Sequence, residues 1–316
     1  MERPPLAASM RLCIVHNPNA GHANDAAPLH EAIATRDDVT LVEPATPEAL
    51  REAVRQAARS GAEVVAAAGG DGTVHAVANA LLAAGDSAET RPALAIVPVG
   101  TGNDLARTLA VPFDAAEALA LVEGGRRAVI EAIRVEPMDA EACFAVNMGN
   151  GGFTGQMRET LTDALKGRWG PLAYVVAAAE TLPRMQRYAV RLTFDDAKPE
   201  AHRLFNVVVA AGRTAGGGRP AAPTANPEDG LLEVVLVRAG TTTQVAGLAA
   251  RALAGADVLA SDLVEVRRAR RLHVEAEPPM RFAIDGEMKA ETPVAFEAIP
   301  RALRVVVGEG YRAEPA

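Results

Sequence analysis

Apolar residues in the first part of the chain gather in short, unbroken runs, and each run is followed by an amphipathic stretch. Residues 11–16 (RLCIVH) read as a buried strand that ends at Asn17-Pro18. After a loop and a helix, VTLVEPA gives a second strand. Thr46-Pro47-Glu48 then marks a helix start, with a capping hydroxyl, a proline in the first turn and an early acid. The helix ALREAVRQAARS stops at Gly61. AEVVAAAGG is a third strand without polar alternation, as expected for a strand covered on both faces. HAVANALLAA follows as a helix, PALAIVPVG as a fourth strand and NDLARTLA as a short helix, and Asp114 is placed to cap AAEALALVE. This alternation predicts a doubly wound parallel sheet, an α/β domain over 10–130.

Beyond residue 130 the pattern changes. EAIRVEPM, ACFAVNMG, YAVRLTFD, RLFNVVVAAG, LLEVVLVR, RLHVEAE, MRFAIDG, PVAFEAI and ALRVVVG are short strands separated by turn signals. One helical insert is expected at about 156–182 and a further helix near 242–255. Many strands and few helices predict an antiparallel β-sandwich over 131–307, with 308–316 returning to the first domain. Residues 1–9 lack the apolar segment of a secretory signal and read as a disordered extension. No apolar stretch approaches the ~20 residues of a membrane span, so membrane contact is expected to be peripheral.

The length of 316 residues suits two domains, and 49% hydrophobic residues suffice for their cores. Aromatics make up 3%, so small aliphatic side chains do most of the packing. A formal net charge of −8 excludes general nucleic-acid binding, which needs a basic surface. Cys13 and Cys143 sit in separate strand-like runs and form no metal cluster or disulfide framework, which fits a reducing cytoplasm. Exposed strand edges leave a homodimer open.

Candidate chemistry concentrates where strands give way to helices. Gly69-Gly70-Asp71-Gly72-Thr73 follows the third strand. Glycines let the backbone approach phosphate, and a helix N-terminus favours negative charge. An aspartate there makes sense if magnesium bridges it to phosphate. The same residues also fit a plain turn with Thr73 as N-cap. Pro98-Val99-Gly100-Thr101-Gly102-Asn103-Asp104 ends the fourth strand, and Asn17-Pro18-Asn19-Ala20-Gly21 the first. In a parallel sheet all three turns reach one edge, where open α/β sheets bind ligands. Asp285-Gly286-Glu287 lies far along the chain; Asp-Gly favours an ordinary hairpin, yet its acids could serve as base and metal ligand if they face a nucleotide.

These motifs, in this order, resemble the diacylglycerol kinase catalytic-domain family, which includes soluble bacterial lipid kinases and sphingosine kinases. Gly216-Gly217-Gly218 with Pro223, Asp229-Gly230-Leu231 and Gly170-Pro171-Leu172-Ala173-Tyr174 add to the likeness. The resemblance implies a two-domain kinase with ATP in the cleft between the domains. It assigns nucleotide contacts to Asn17, Pro18, Asn19, Ala20 and Gly21, to Gly70, Asp71, Gly72, Thr73, Val74, His75 and Ala76, and to Gly100, Thr101, Gly102, Asn103 and Asp104. Thr46 would lie near the adenine, besides its role as a helix cap. Glu287 would be the general base, Asp285 would lie near the phosphates, and Asp71 would serve the catalytic magnesium or, in some members, act as the base. A second, structural magnesium would use Asn226, Asp229 and the Leu231 carbonyl, with Glu131 where relatives carry an aspartate.

The implied reaction is phosphoryl transfer from ATP to the primary hydroxyl of a lipid such as diacylglycerol or a sphingoid base. An NAD kinase-like enzyme shares the Gly-Gly-Asp-Gly turn, and a non-catalytic nucleotide or lipid binder could share the fold. Two segments offer lipid contact: Met157, Leu161, Ala164 and Leu165 on one helical face ahead of Lys166, Arg168 and Trp169, and the run Arg267-Arg268-Ala269-Arg270-Arg271. Core packing explains the first equally well, and a solvated strand edge the second.

Overall fold

The computed structural model describes residues 11–18, 27–34, 39–84, 87–152, 186–253 and 258–315. The chain divides into two units: Met1–Ala132, Gly212–Gly230 and Ile299–Ala316 form the first, and Ile133–Ala211 with Leu231–Ala298 the second. Two features differ from the sequence-based division. The segment 212–230, expected in the second domain, packs with the first, and the return to the first unit begins at Ile299 rather than at 308.

In the first unit, β1 (Leu12–His16), α1 (Ala27–Ile33), β2 (Val39–Val42), α2 (Pro47–Arg59), β3 (Val64–Gly69), α3 (Asp71–Ala83), β4 (Ala93–Pro98), α4 (Asp104–Thr108) and α5 (Ala115–Gly124) follow in turn. The long strand β5 (Arg126–Pro137) then carries the chain into the second unit. β1 pairs in parallel with both β2 and β3, β3 pairs with β4, and the last strand of the chain joins β4 at Val305↔Leu94. The order in which strands are added therefore reverses between β1 and β3, the switch point at which such sheets open a crevice beyond the strand ends. β3 and β4 are buried throughout, which explains their unbroken apolar sequences.

The N-caps of α2 and α5 are those the sequence signals. Thr46 Oγ1 accepts the Ala49 N–H at 3.2 Å, and Asp114 Oδ1 accepts the amides of Ala116 and Glu117 at 3.0 Å each. Gly61 ends α2 at φ +76°, a conformation that side chains resist.

The second unit holds β6 (Cys143–Ala145), β7 (Met148–Gly152), β8 (Tyr188–Phe194) and β9 (Glu200–Ala210). The short β10 (Thr214–Ala215) and β11 (Arg219–Pro220) belong to the first unit. The second unit resumes with β12 (Leu232–Arg238), α6 (Thr242–Leu253), β13 (Val264–Ala269), β14 (Arg271–Glu277), β15 (Arg281–Ile284) and β16 (Glu287–Glu291). β17 (Val294–Val307) then leads back to the first unit. Pairing among β7–β9 and β12–β16 is antiparallel, with the long β9 as hub to β7, β8 and β12. The expected helical insert at 156–182, with Trp169, lies outside the described residues.

A glycine-rich strand sits at the centre of this unit. β7 reads MGNGG because Phe282 and Phe296, ring centroids 5.1 Å apart, lie against it. A Cβ on Gly151 would fall 2.4 Å from the Phe282 ring, and one on Gly149 would fall 3.0 Å from Phe296. The aromatic rings occupy the volume that side chains on β7 would need. Three arginines of the basic run 267–271 meet acids. Arg267 meets Glu200 at 3.0 Å and stacks over Phe194, Arg268 meets Glu233 at 3.5 Å, and Arg271 meets Glu297 at 3.0 Å. The Arg267 hydrogen bond holds the Glu200 carboxyl below its usual range. Arg267 and Arg268 lie on β13, paired to β12, and Arg271 starts β14, paired to both β8 and β17.

Gly151→Ala should destabilise the protein by about 1–3 kcal/mol through overpacking. In combination with Phe282→Leu the cost should be less than additive, because the smaller side chain vacates the clash. Urea denaturation of the two single variants and the double variant checks both statements.

Candidate active site

The first unit brings the predicted turns together at the ends of β1, β3 and β4. Asn17, directly after β1, donates its backbone N–H to Ala68 O at 3.0 Å, and its Nδ2 lies 3.4 Å from Thr73 Oγ1. Gly70 is the N-cap of α3, in extended conformation. Thr73 lies inside the helix and is buried, so the reading of Thr73 as N-cap is corrected: the cap is a glycine and supplies no side chain. The amides of Thr73 and Val74 both donate to Gly70 O. As a result the first helical turn closes tightly behind the glycines.

The turns after β3 and β4 touch through their backbones. A Cβ on Gly100 would lie 2.2 Å from Gly70 Cα, and one on Gly102 would lie 2.2 Å from Asp71 Oδ2. Only glycine permits either approach. Asp71 Oδ1 accepts the backbone N–H of Asp104 at 2.7 Å, which bonds one turn to the other. Asn103 sits at φ 54° with Nδ2 donating to Gly100 O at 2.6 Å. That local bond explains why an asparagine holds a left-handed position.

Asp104 itself is buried and faces away from solvent chemistry. Its carboxylate accepts the amides of Gly217 (3.1 Å) and Gly218 (2.7 Å), in a turn whose three glycines have φ of 63°, 86° and 92°. The Gly216-Gly217-Gly218 motif is thus a nest of backbone donors for an internal carboxylate. Arg213, which the sequence did not single out, holds the same segment. Its N–H donates to Thr108 Oγ1 at 3.1 Å, and its guanidinium donates to the carbonyls of Ala225 (2.9 Å) and Arg312 (2.8 Å). No local pattern marks such a residue, because its partners are backbone atoms distant in sequence.

Thr101 is exposed, and Asn17, Gly70, Asp71, Gly72, Ala76, Gly100 and Gly102 are partly exposed. Val74 and His75 have buried side chains, so only their backbones could meet a ligand. Pro18 and Thr46 are exposed, whereas Asn19, Ala20 and Gly21 lie outside the described residues.

In the second unit, Asp285 and Gly286 form a two-residue hairpin turn between β15 and β16, with φ of 44° and 92°. The hairpin reading holds. The Asp285 carboxylate is buried and accepts the amides of Val146 (2.9 Å), Asn147 (3.0 Å) and Met148 (2.9 Å). Three charge-assisted bonds make it an anchor for the loop that enters β7. Glu287 differs: it is exposed, and its Oε2 lies 2.9 Å from Lys289 Nζ.

Comparison with known proteins now decides the family. A model described as the diacylglycerol kinase catalytic domain matches residues 11–135, and one described as the YegS C-terminal NAD kinase beta sandwich-like domain matches 146–307. The chain is 31% identical over 257 residues to "Probable lipid kinase YegS-like" of Stenotrophomonas maltophilia, covering 81% of this chain and 82% of that protein. A protein of the same name from Pseudomonas aeruginosa strain UCBPP-PA14 is 32% identical over 263 residues, covering 82% of each chain. The chain belongs to the YegS-like lipid kinase family. A crystal structure of a diacylglycerol kinase from Bacillus anthracis shares the fold, with a TM-score of 0.70 at 20% identity over 97% of this chain and 100% of that one.

Membership in the lipid kinase family gives the carboxylates a test of fit for magnesium. Asp71 sits partly exposed at a helix start, beside the cradle that a Cβ on Gly102 would fill, and a hard cation suits it. Two of the residues named for a structural magnesium make hydrogen bonds of their own. Asn226 Oδ1 accepts the Glu228 N–H at 2.9 Å, and the fully buried Glu131 accepts the Gly230 N–H through Oε2 at 2.7 Å. Asp229 is exposed and Leu231 partly so. The longer Glu131 reaches the turn itself.

The two acids of the hairpin should separate by stability. Asp285→Asn replaces an acceptor facing backbone amides and should cost about 1–3 kcal/mol. Glu287→Gln, at an exposed site, should stay within ~0.5 kcal/mol of the parent. Thermal and urea unfolding of both variants checks this.

Proposed function

We propose that the protein transfers the γ-phosphoryl group of ATP to the primary hydroxyl of a lipid, such as diacylglycerol or a sphingoid base, with magnesium. What carries this reading is the joined pair of glycine turns in a chain of the lipid kinase family, with Asp71 at the junction. The N-terminus of α3, whose Gly70 cap supplies no side chain, presents the positive end of a helix dipole to phosphate. Gly70, Gly72, Gly100 and Gly102 let the backbone approach the polyphosphate, and Asn17 and Thr101 add polar groups at its border. Asp71 would hold the magnesium, which neutralises charge on the transferred group. Glu287 would accept the proton of the acceptor hydroxyl as its oxygen bonds to phosphorus and the bond to the departing ADP breaks. Asp285 holds the loop before β7 and so positions the hairpin that carries Glu287. The family's work on lipids, with no helix among the described residues long and apolar enough to cross a membrane, supports a cytoplasmic protein meeting its substrate at a membrane surface.

The second family model is named for its likeness to the NAD kinase sandwich, which keeps NAD as the acceptor to exclude. Purified protein, labelled ATP and magnesium would be incubated with micellar diacylglycerol, sphingosine, ceramide or phosphatidylglycerol, and with NAD. Label should enter a lipid and not NAD. Asp71→Asn and Glu287→Gln should each lower the rate at least ~100-fold. Label in NAD alone, or full activity in both variants, would refute the assignment.

A further inference from the structure

A second cluster of ligating side chains lies apart from Asp71, at the opposite side of β1 from β3. His16 is the last residue of β1, 2% exposed in the structure. Glu43 follows β2 directly, and the parallel register Val15↔Val42 sets these two residues next to each other. The His16 imidazole donates from Nδ1 to Glu43 Oε1 at 2.8 Å. His30, on α1, brings Nε2 to 4.0 Å from the same oxygen, and its ring stands edge-on to that of His16 at 5.6 Å between centroids. One ligand atom from each residue falls within 4.8 Å of the other two.

We propose that His16, His30 and Glu43 bind one divalent transition-metal ion of the zinc type. Two imidazoles and a carboxylate suit zinc and its neighbours, whereas magnesium takes oxygen ligands, so this ion is chemically distinct from the one proposed at Asp71. Tetrahedral coordination with bonds of about 2.0–2.1 Å sets ligand atoms roughly 3.3 Å apart. The 2.8 Å pair would open by about 0.5 Å and the 4.0 Å pair close by about 0.7 Å, within reach of small side-chain rotations. On binding, the metal replaces the proton of His16 Nδ1, and that proton passes to solvent. The His30 and Glu43 side chains are 49% and 44% exposed, which gives the ion an entry path and leaves a fourth position to water. The bound ion would tie α1 and β2 to the end of β1, one residue before Asn17.

The test uses the full chain, stripped with chelator, titrated with Zn2+ by calorimetry and with Co2+ by visible absorption. The parent should bind one equivalent of Zn2+ at this site and show the intense visible bands of tetrahedral Co2+. His30→Ala and Glu43→Gln, both at exposed side chains, should each lose that equivalent or weaken it at least ~10-fold, and lose the Co2+ bands. Absence of the bands and of stoichiometric binding in the parent, or parental affinity retained in either variant, would overturn the proposal. Because neither readout involves ATP or lipid, the result stands apart from the kinase assignment.

Discussion

The close backbone approach of Gly70 and Gly100, fastened by the hydrogen bond from Asp104 N–H to Asp71, is the constraint on which the first unit's chemistry depends. Each of these turns ends a fully buried strand, and β3 and β4 pair from Val64↔Ala93 to Gly69↔Pro98. The strands fix the register, and the glycines remove the side chains that would hold the turns apart. Asp71 is thereby pinned by one oxygen, with the other directed at the space beside Gly102. Asp104, one link further, turns its own carboxylate onto the Gly217 and Gly218 amides and so draws the 212–230 segment into the same unit. A chain of short polar contacts, each possible only beside glycine, thus runs from the sheet edge to a segment more than a hundred residues away.

The aspartates that share glycine-flanked settings do different work. Asp71 is partly exposed and bonds one turn to the other through Oδ1. Asp104 and Asp285 are buried, and backbone amides fill their acceptor positions. Sequence context alone does not separate them, because each lies within two residues of a glycine. Burial and donor count separate them, and both are tertiary properties. The same holds for Glu131, whose extra methylene relative to aspartate carries its carboxylate to Gly230 N–H.

Much of the architecture was legible in the chain. Unbroken runs such as VVAAAG announce strands covered on both faces, and Thr46-Pro47-Glu48 and Asp114 announce helix starts through local bonds that involve neighbours in sequence. Contacts between distant segments were not legible. Arg213 gives no local sign that it clamps Ala225 and Arg312, and the membership of 212–230 in the first unit follows from that clamp and from Asp104. The pairing of His16 with Glu43 likewise depends on the register of β1 and β2, which no motif encodes. The glycines of β7 read as a weak strand until Phe282 and Phe296 explain their missing side chains.

Hydrogen–deuterium exchange of the intact protein, with and without magnesium and ATP, tests the central claim most directly. Exchange should slow in peptides covering Gly69 to Thr73 and Gly100 to Asp104, where backbone amides would meet phosphate. Nucleotide-dependent protection confined to other segments, or none at all at saturating ATP, would contradict it.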